Sequence, residues 1–577
     1  EHLTRLRAWG LTTFRLIVTW EAVEHKGPGL YDFEYLEYIK QVVKKAGDYG
    51  ISVWIDPHQD VWSRWSGGDG APSWTLDLVG FNTSRIYESG AAITHQGYGD
   101  PYPRMMWPSN HQRLATGTMF TLFFAGRKYA PNMTLGKDNA NVQDFLQGHY
   151  FAAFRKVAEI LKDQDNVIGF DTLNEPNAGM AGWKDLTVKG LFRQGWTHSW
   201  WQAMLMGEGM TQETEHYRLP FIYTGTRTLN KKGQRAWKDG VPCIWRRAGV
   251  WDFDNASGEP VLLKPDHFLP EGSTGGVMEG NGQHFVDRFM VPFYLSFAEN
   301  VRSQMPGALI FLDPNCDFED HNNMRCPKFE GETEGFVWAP HWYDFVLLIA
   351  KEFRSWGTIS KRFPPHPVFG ATNVVGEWAK QLSELRGCAG GIGKKGVATI
   401  IGEIGIPFDL NEKAAFRGGD WSIQVAAMDS TMKALDRALL SATLWNYTPD
   451  NTNQKGDLWN DEDLSIFSRD QQKDAGCVYS GGRALSAIIR PLLFRTAGTP
   501  LSMEFDARER VWKCEFEVDV SVTAPTLVFV PEYQYPAGFT VWAPLGTVKR
   551  FGERQTIEYT PGHGAITGDK HTITLFS

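Results

Sequence analysis

Seven short apolar segments, each ending in polar or aromatic residues, constrain the fold of this 577-residue chain more than any other feature. The segments are residues 12–20, 51–59, 166–175, 308–315, 336–344, 398–405 and 441–449. Stretches with helical spacing, such as 35–50 and 143–164, separate several of them. Continuous apolar strands that alternate with helices indicate a parallel sheet covered by helices. Polar residues at the strand C-termini predict an α/β fold, the (β/α)8 TIM barrel, whose chemistry occurs at that face.

The number of strands raises a question, because a barrel of this type has eight of them. The chain opens in a helix-like segment, HLTRLRAWG, that leads directly into the strand at 12–20. We therefore expect the first strand to lie upstream of residue 1. The alternative is a first strand in the long insertion that begins at residue 177, for example RLPFIYTG, but that would break the order of the motifs.

The sequence pattern changes near residue 496. Short alternating segments such as VWKCEFEVDV and HTITLFS, separated by Pro and Gly turns, predict a small antiparallel β-sandwich. We expect a barrel over residues 1–495, with long insertions at about 60–140 and 177–305, and a β-sandwich over 496–577. Long excursions at the C-terminal side of barrel strands usually shape a substrate site.

Composition excludes some classes of function. A net charge of −9 and a pI near 6.0 argue against a nucleic-acid partner, and the absence of any long apolar run predicts no membrane span. The six cysteines have no CxxC spacing, so they indicate neither a zinc site nor a disulfide scaffold and favour a reducing compartment. We expect an intracellular protein, cytoplasmic or vacuolar, with peripheral contact to membranes.

Two glutamates, Glu175 in LNEP and Glu403 in GEIG, end two of the apolar strands. They are far apart in sequence, yet in a barrel both would point into the same mouth. Such a pair can cleave an acetal, because a protonated carboxyl gives its proton to the departing oxygen while an ionised one attacks or positions water. A single glutamate at a strand end is more often part of a structural salt bridge. Two of them with polar neighbours favour catalysis.

The motifs around both glutamates resemble glycoside hydrolase family 5, whose members are retaining (β/α)8 glycosidases. DPHQDVWSRWSGGDGAPSWTL, MFTLFFAGRKYAP and LWNDEDLSIFS resemble its fungal endoglycoceramidase-related subgroup, which includes β-glucosidases of glucosylceramide and of steryl glucosides. The resemblance covers essentially the whole chain, and the missing first strand is the visible departure. It implies a retaining β-glucosidase that removes glucose from a glycolipid, without a cofactor. The aglycone is a sterol or a ceramide, with a slight preference for the sterol.

The resemblance also implies roles for the polar residues at the strand ends. Glu175 would be the general acid and then the base, with a pKa raised by burial beside another carboxylate. Glu403 would be the nucleophile, kept ionised by Arg15 and Tyr343. The implied supporting residues are Asn174 at the sugar 2-hydroxyl, His341 beside Glu175, His58 at Arg15 or the sugar, and Trp445 beneath the glucose ring. The carboxyl groups should then lie about 5–5.5 Å apart.

Weaker signals add further candidates. Asp60 in DPHQD, and Trp459 and Asn460 with Asp461 in LWNDED, could line the mouth; a solvated loop is the alternative for the second group. A metal site is another interpretation of part of this set. Its ligands would be Asp56, His58, Asp60 and His341. Because the same residue types occur in sugar sites, we expect no metal.

An aromatic cluster in the first long insertion could form an apolar wall for a lipid aglycone and dock on a membrane, with core packing as the alternative. The cluster comprises Trp62, Trp65, Trp74, Phe120, Phe123 and Phe124. Three other functions remain open. They are an endo-acting β-glycanase or endoglycoceramidase of the same fold, a catalytically dead barrel that binds glycans or lipids, and a metal-dependent hydrolase.

Overall fold

A parallel sheet of seven strands forms the centre of the computed structural model, which describes residues 1–99, 106–218, 222–270, 281–316, 325–362, 365–460 and 462–577. The strands are β1 (Thr13–Thr19), β2 (Ser52–His58), β3 (Val167–Asp171), β4 (Leu309–Leu312), β5 (Phe336–Trp338, resuming at His341–Trp342), β6 (Ala398–Ile404) and β7 (Ser441–Leu444). They pair in chain order and every pair is parallel. Because β7 also approaches β1, the sheet is a nearly closed barrel, and the predicted fold class is confirmed.

Five long helices cover the outside of the barrel. They are Phe33–Asp48, Val142–Leu161, Val291–Arg302, Ala371–Ala389 and Ser422–Ala438. Asp32 begins the first of them, because its carboxylate accepts a hydrogen bond from the backbone N–H of Tyr35. Asn141 caps the second in the same way. Both helices predicted from apolar spacing are present.

Shorter elements fill the excursions after the barrel strands. The other helices of four or more residues include His2–Ala8, Trp20–Glu24, Ser73–Val79, His95–Tyr98, Leu114–Tyr129, Trp200–Gly207, Ile244–Arg247, Asn281–Phe285, Leu410–Gly418 and Leu485–Ile488. Antiparallel pairs join Thr134–Leu135 to Ala140–Asn141, Trp251–Phe253 to Pro260–Leu262, and Gly357–Ser360 to His366–Phe369. The alternative first strand, RLPFIYTG, lies partly outside the described residues. Its described end belongs to Tyr223–Leu229, which pairs antiparallel with Gln212–Tyr217 in a separate sheet.

The aromatic cluster of the first insertion is part of the core. Helix Leu114–Tyr129 is buried over most of its length and packs against helix Val142–Leu161, so its phenylalanines meet other aromatic rings. Trp62 and Trp74 are buried as well, and Trp65 is half-buried. The interpretation of this cluster as an exposed apolar wall is therefore wrong, and the alternative of core packing is confirmed.

Two four-stranded antiparallel sheets form the C-terminal β-sandwich, as predicted. One contains Leu492–Arg495, Thr526–Phe529, Gly546–Phe551 and Thr556–Pro561, and the other Gly498–Asp506, Val511–Val518, Thr540–Trp542 and Lys570–Phe576. Alternate residues of Val511–Val518 are buried, among them Trp512 and Phe516, which lie in the sandwich core. The division of the chain at residues 495 and 496 stays a prediction.

A disulfide joins Cys326 to Cys388, which the cysteine spacing did not indicate. The two residues are 62 positions apart in sequence, Cys326 ahead of β5 and Cys388 near the end of helix Ala371–Ala389. Only the folded barrel brings them together. Of the residues that the structure describes, no helix combines the length and the apolar character needed to cross a membrane.

Candidate active site

Glu175 and Glu403 face each other at the C-terminal end of the barrel strands. Glu175 lies just beyond β3, and Glu403 lies in β6, in register with His341 of β5. Nδ1 of His341 is 2.9 Å from Oε1 of Glu175 and 3.5 Å from Oε2 of Glu403. One carboxylate oxygen of each glutamate lies within 4.8 Å of the other. Oxygens this near one another fit carboxyl groups roughly 5–5.5 Å apart, as in retaining glycosidases, better than the roughly 6.5–9.5 Å of inverting ones.

Arg15 on β1 is the cationic centre of the site. Its Nη1 lies 2.7 Å from Oε1 of Glu403, and its Nη2 donates to Oδ1 of Asn174 at 3.0 Å. Carboxylates at the ends of three further strands also surround it. They are Asp56 at 3.0 Å, Asp171 at 2.9 Å and Asp313 at 3.4 Å. Burial lowers the pKa of Arg15, but these carboxylates outweigh it and hold the pKa well above its ordinary value.

The ionisation of the two glutamates depends on their hydrogen-bond donors. Burial raises the pKa of Glu403 above its ordinary value, although His341 and Arg15 oppose the rise. Tyr343 donates its hydroxyl to Oε2 of Glu403 at 2.9 Å. Burial also acts to raise the pKa of Glu175, but the hydrogen bond and the charge of His341, together with the charges of His111 and His58, outweigh it and lower that pKa. The expected rise in the pKa of Glu175 is therefore wrong in this structure, because the expectation gave burial and a second carboxylate more weight than the histidine expected beside Glu175.

The surroundings of His341 favour the protonated form of its ring. Burial lowers the pKa of the imidazole, but Asp313, Glu403 and Glu175 together hold it well above its ordinary value. Nε2 lies 3.2 Å from Asp313, and Nδ1 is the nitrogen that faces Glu175. Carboxylates on both sides thus favour an imidazolium, whose Nδ1–H would be directed at Glu175.

Gln59 fixes the backbone that carries Glu175. Its side-chain amide donates to the carbonyl oxygens of Asn174 at 2.7 Å and Glu175 at 3.0 Å, and its own carbonyl accepts from Asn174. Glu175 has φ of +41°, a left-handed backbone that is uncommon for a non-glycine residue and needs such support. Sequence reasoning missed Gln59 and Asp313. Asp313 follows β4 directly, so the rule of polar strand ends could have found it.

Trp445 follows β7 and remains partly exposed. Its ring stacks on His58, with ring centroids 5.2 Å apart and an interplanar angle of 9°. Nδ1 of His58 is 2.8 Å from Asp56, and Nε2 is 3.6 Å from Asp60. Gly405 permits this arrangement, because a Cβ there would lie 2.2 Å from the carbonyl oxygen of Trp445.

Loops that follow β2 and β7 meet beside the carboxylates. Asn460 is buried and its Oδ1 lies 2.7 Å from Nε2 of His95, while Trp459 is half-buried near the same ring. The solvated-loop alternative is therefore wrong for Asn460, and Asp461 lies outside the described residues. Glu462, which sequence reasoning missed, is buried and accepts a hydrogen bond from Nε1 of Trp107 at 2.8 Å.

The burial of Glu462 favours the neutral form of its carboxyl group. Burial raises its pKa to about 8, although the hydrogen bond from Trp107 opposes the rise. The charges of Asp457 and Glu403 add to the rise, so Glu462 lies within electrostatic reach of the candidate nucleophile. A protonated carboxyl at this position presents no second negative charge to Glu403.

Two clusters among the described residues have ligand atoms within 4.8 Å of one another, close enough to hold a cation. They are His58, Asp60 and Asp69, and Glu175, His341 and Glu403. The metal ligands considered from the sequence, Asp56, His58, Asp60 and His341, match neither cluster. Asp56 instead lies against Arg15 and His58. The arginine already supplies a positive charge there. The expectation that the site works without a metal stays a prediction.

The sequence of the chain matches two family models and several curated proteins. Residues 1–203 match the cellulase family of glycosyl hydrolase family 5, and residues 490–575 match the glycoside hydrolase family 5 C-terminal domain. A glucosylceramidase of Rhizopus delemar is 35% identical, over 93% of this chain and 80% of the relative. The ergosteryl-β-glucosidase of Saccharomyces cerevisiae is 31% identical, over 98% of this chain and 87% of the relative.

Solved structures of glycolipid hydrolases are also similar to this chain. The crystal structure of Cryptococcus neoformans sterylglucosidase 1 matches with a TM-score of 0.90 and 30% identity, over 100% of this chain and 88% of that one. Endo-glycoceramidase II from Rhodococcus sp. shares the fold, with a TM-score of 0.56 and 16% identity, over 100% of this chain and 91% of that one. A barrel with two facing carboxylates at its mouth has the arrangement of a glycosidase, and the family matches assign the chain to that class. This chain belongs to glycoside hydrolase family 5, as its motifs indicated.

Proposed function

We propose that this enzyme is a retaining β-glucosidase that removes glucose from a membrane glycolipid, either a steryl β-glucoside or a glucosylceramide. The observation that carries the proposal is the pair of carboxylates within 4.8 Å, Glu403 held by Arg15 and Tyr343 and Glu175 held by His341. Relatives named for these two substrate classes are 31% and 35% identical to the chain over nearly its whole length.

The reaction would proceed in two displacements. Glu403 attacks the anomeric carbon while the bond to the aglycone oxygen breaks, and Glu175 gives that oxygen a proton. The product of this step is a glucosyl ester on Glu403. Glu175, now ionised, takes a proton from water, the water attacks the anomeric carbon, and Glu403 leaves as a carboxylate. The glucose retains its β-configuration.

His341 would supply the proton of the first step. Its N–H points at Glu175 across 2.9 Å, so transfer of this proton converts Glu175 into the acid form. When Glu403 becomes an ester it loses its negative charge, and the imidazolium loses one of the carboxylates that stabilise it. Loss of this charge favours the neutral form of the ring. Glu175 then receives no proton from His341 and can act as the base in the second step.

The remaining site residues would hold the sugar. Asn174 uses one N–H on the carbonyl of Gln59, so its amide has a second N–H for the sugar 2-hydroxyl. Trp445, backed by His58, offers a flat apolar face to the ring, and Asp60 beside His58 is a partner for further hydroxyls. Trp459 and Asn460 would belong to the wall on the aglycone side.

The aglycone is best identified by a direct comparison of substrates. Hydrolysis of ergosteryl β-glucoside, glucosylceramide and a cellulose oligomer should be compared with one preparation in detergent, with Glu403→Gln as the inactive control. Cleavage of one or both lipids, with β-glucose as the first product by NMR, supports the proposal. Inertness toward both lipids, with rapid cleavage of the oligomer, would leave a β-glycanase in its place.

We further propose that the enzyme reaches its lipid as a peripheral membrane protein.

The disulfide between Cys326 and Cys388 bears on the compartment, because disulfides persist in oxidising compartments. Of the two locations expected from the sequence, it favours the vacuolar lumen over the cytoplasm. Trapping of free thiols in intact cells tests this, because alkylation of both cysteines without prior reduction would contradict it.

A further inference from the structure

Three large aromatic side chains are exposed on the segment that follows β5. Phe345, Trp356 and Phe369, which we call the rim aromatics, are 42%, 56% and 63% exposed. The rings of Trp356 and Phe369 stack on each other, with centroids 6.3 Å apart and an interplanar angle of 7°. A single exposed apolar residue is ordinary, but a stacked pair with a third ring on the same segment is a feature of interaction surfaces.

The rim aromatics lie at the mouth of the barrel. Tyr343, which donates to Glu403, is followed directly by Asp344 and then by Phe345. The hairpin that carries the other two rings is attached at the same point, because the hydroxyl of Thr358 donates to Asp344 at 3.1 Å. Phe345 is therefore close in the chain to a hydrogen-bond donor of the candidate nucleophile, and the hairpin is hydrogen-bonded to the residue between Tyr343 and Phe345.

The hairpin is held in place, so the two rings stay on the surface. Gly357, next to Trp356, pairs with Phe369 across the hairpin, and the N–H of Gly370 donates to the carbonyl of Trp356 at 2.7 Å. The adjoining strand end is fixed by Ser360, whose hydroxyl donates to Glu377 of helix Ala371–Ala389 at 2.6 Å. Both rings thus extend from a backbone that is hydrogen-bonded on each side.

We propose that the rim aromatics insert into the surface of the lipid bilayer that carries the glycolipid and hold the mouth against it. The inference rests on the proposed function, because a glucose attached to a membrane lipid lies at the level of the headgroups. Tryptophan favours this interface, where its apolar ring is buried and its N–H stays near water. Arg354, with its guanidinium 5.8 Å from the Trp356 ring and its side chain 61% exposed, can keep its charge among the headgroups.

The test uses the double variant Trp356→Ser with Phe369→Ser. The matched control is Trp542→Ser, since Trp542 is 52% exposed on the C-terminal sandwich, away from the mouth. Binding is measured by flotation with phosphatidylcholine–ergosterol vesicles that contain no substrate. We expect the double variant to lose about tenfold or more of its vesicle affinity, because both rings lose the burial of their apolar surface in the bilayer. The control should bind as wild type.

The double variant, Phe369→Ser and Trp542→Ser should all hydrolyse soluble nitrophenyl β-glucoside at the wild-type rate, which shows that these variants are folded. Phe369→Ser alone, which keeps Trp356, should give an intermediate loss of vesicle binding. Unchanged vesicle binding by the double variant, or an equal loss in the control, would overturn the proposal. A shift from dimer to monomer in the double variant, with vesicle binding intact, would identify a second copy of the chain as the occupant instead. Failure of the proposed function is distinguishable, because wild type would then leave glycolipids in detergent micelles intact whether or not it binds vesicles.

Discussion

The hydroxyl of Tyr343 offers the most quantitative test of how the site ionises Glu403, the proposed nucleophile. Tyr343→Phe removes the hydrogen bond at 2.9 Å to Oε2 of Glu403 and leaves the ring in place. A hydrogen bond to a charged group contributes about 1.5–3 kcal/mol. Its loss favours the protonated form of Glu403, which cannot attack, and acts in the same direction as burial, which already raises this pKa.

The size of the effect depends on pH in a predictable way. Below the acid limb of the wild-type profile, kcat/KM should fall about 10- to 150-fold, because about 1.4 kcal/mol corresponds to a factor of ten. The limb should move to higher pH, and the deficit should shrink as Glu403 becomes ionised in both proteins. The assay is the pH dependence of kcat/KM for nitrophenyl β-glucoside.

A second tyrosine provides the control. Tyr129 is buried and donates its hydroxyl to the carbonyl of Phe268 at 2.8 Å, in an excursion away from the carboxylates. Tyr129→Phe also removes a buried hydrogen bond and should lower stability without changing the pH profile. An acid limb at the same pH in wild type and Tyr343→Phe would refute the reasoning, because Tyr343 would then not stabilise ionised Glu403.

Three further perturbations test separate parts of the structure. Glu175→Ala should slow poor leaving groups most, and azide should partly restore turnover of nitrophenyl β-glucoside; uniform loss without rescue would contradict the acid role. Glu462→Gln should have a higher melting temperature than wild type, and the difference should grow from about pH 5 to about pH 8. Burial raises the pKa of Glu462 to about 8, so in this range the folded state of wild type must hold a proton that the unfolded chain has released. A difference in melting temperature that does not depend on pH would contradict this. Replacing Cys326 and Cys388 by Ser opens a loop of 62 residues and should lower the free energy of unfolding by about 4 kcal/mol in denaturant titrations; no change would show that the disulfide does not stabilise the fold.

The parts of the fold that could be predicted are those with local signals. Each barrel strand is a continuous apolar run, and each ends in a polar residue because the strand C-termini meet at one mouth. That rule alone is enough to place Glu175 and Glu403 at the same face of the barrel. The supporting contact of Gln59 had no such signal, because it depends on the path of the backbone after β3.

Other features depend on tertiary contacts that composition does not encode. Phe120 and Phe123 would have the same sequence pattern in a substrate wall as in a core helix, and only packing against helix Val142–Leu161 separates the two. The direction of the pKa shift at Glu175 was also out of reach. It follows from the position of His341 between Glu175 and Glu403, which is set by the register of β5 on β6.

The double-displacement mechanism makes one residue the site of a covalent bond to glucose. A 2-fluoroglucosyl fluoride of β-configuration should inactivate the enzyme, because fluorine slows hydrolysis of the intermediate more than its formation. Peptide mass mapping of the inactivated enzyme should find one fluoroglucosyl group, attached to Glu403. Attachment to Glu175 or to any other residue would contradict the assignment on which the whole account depends.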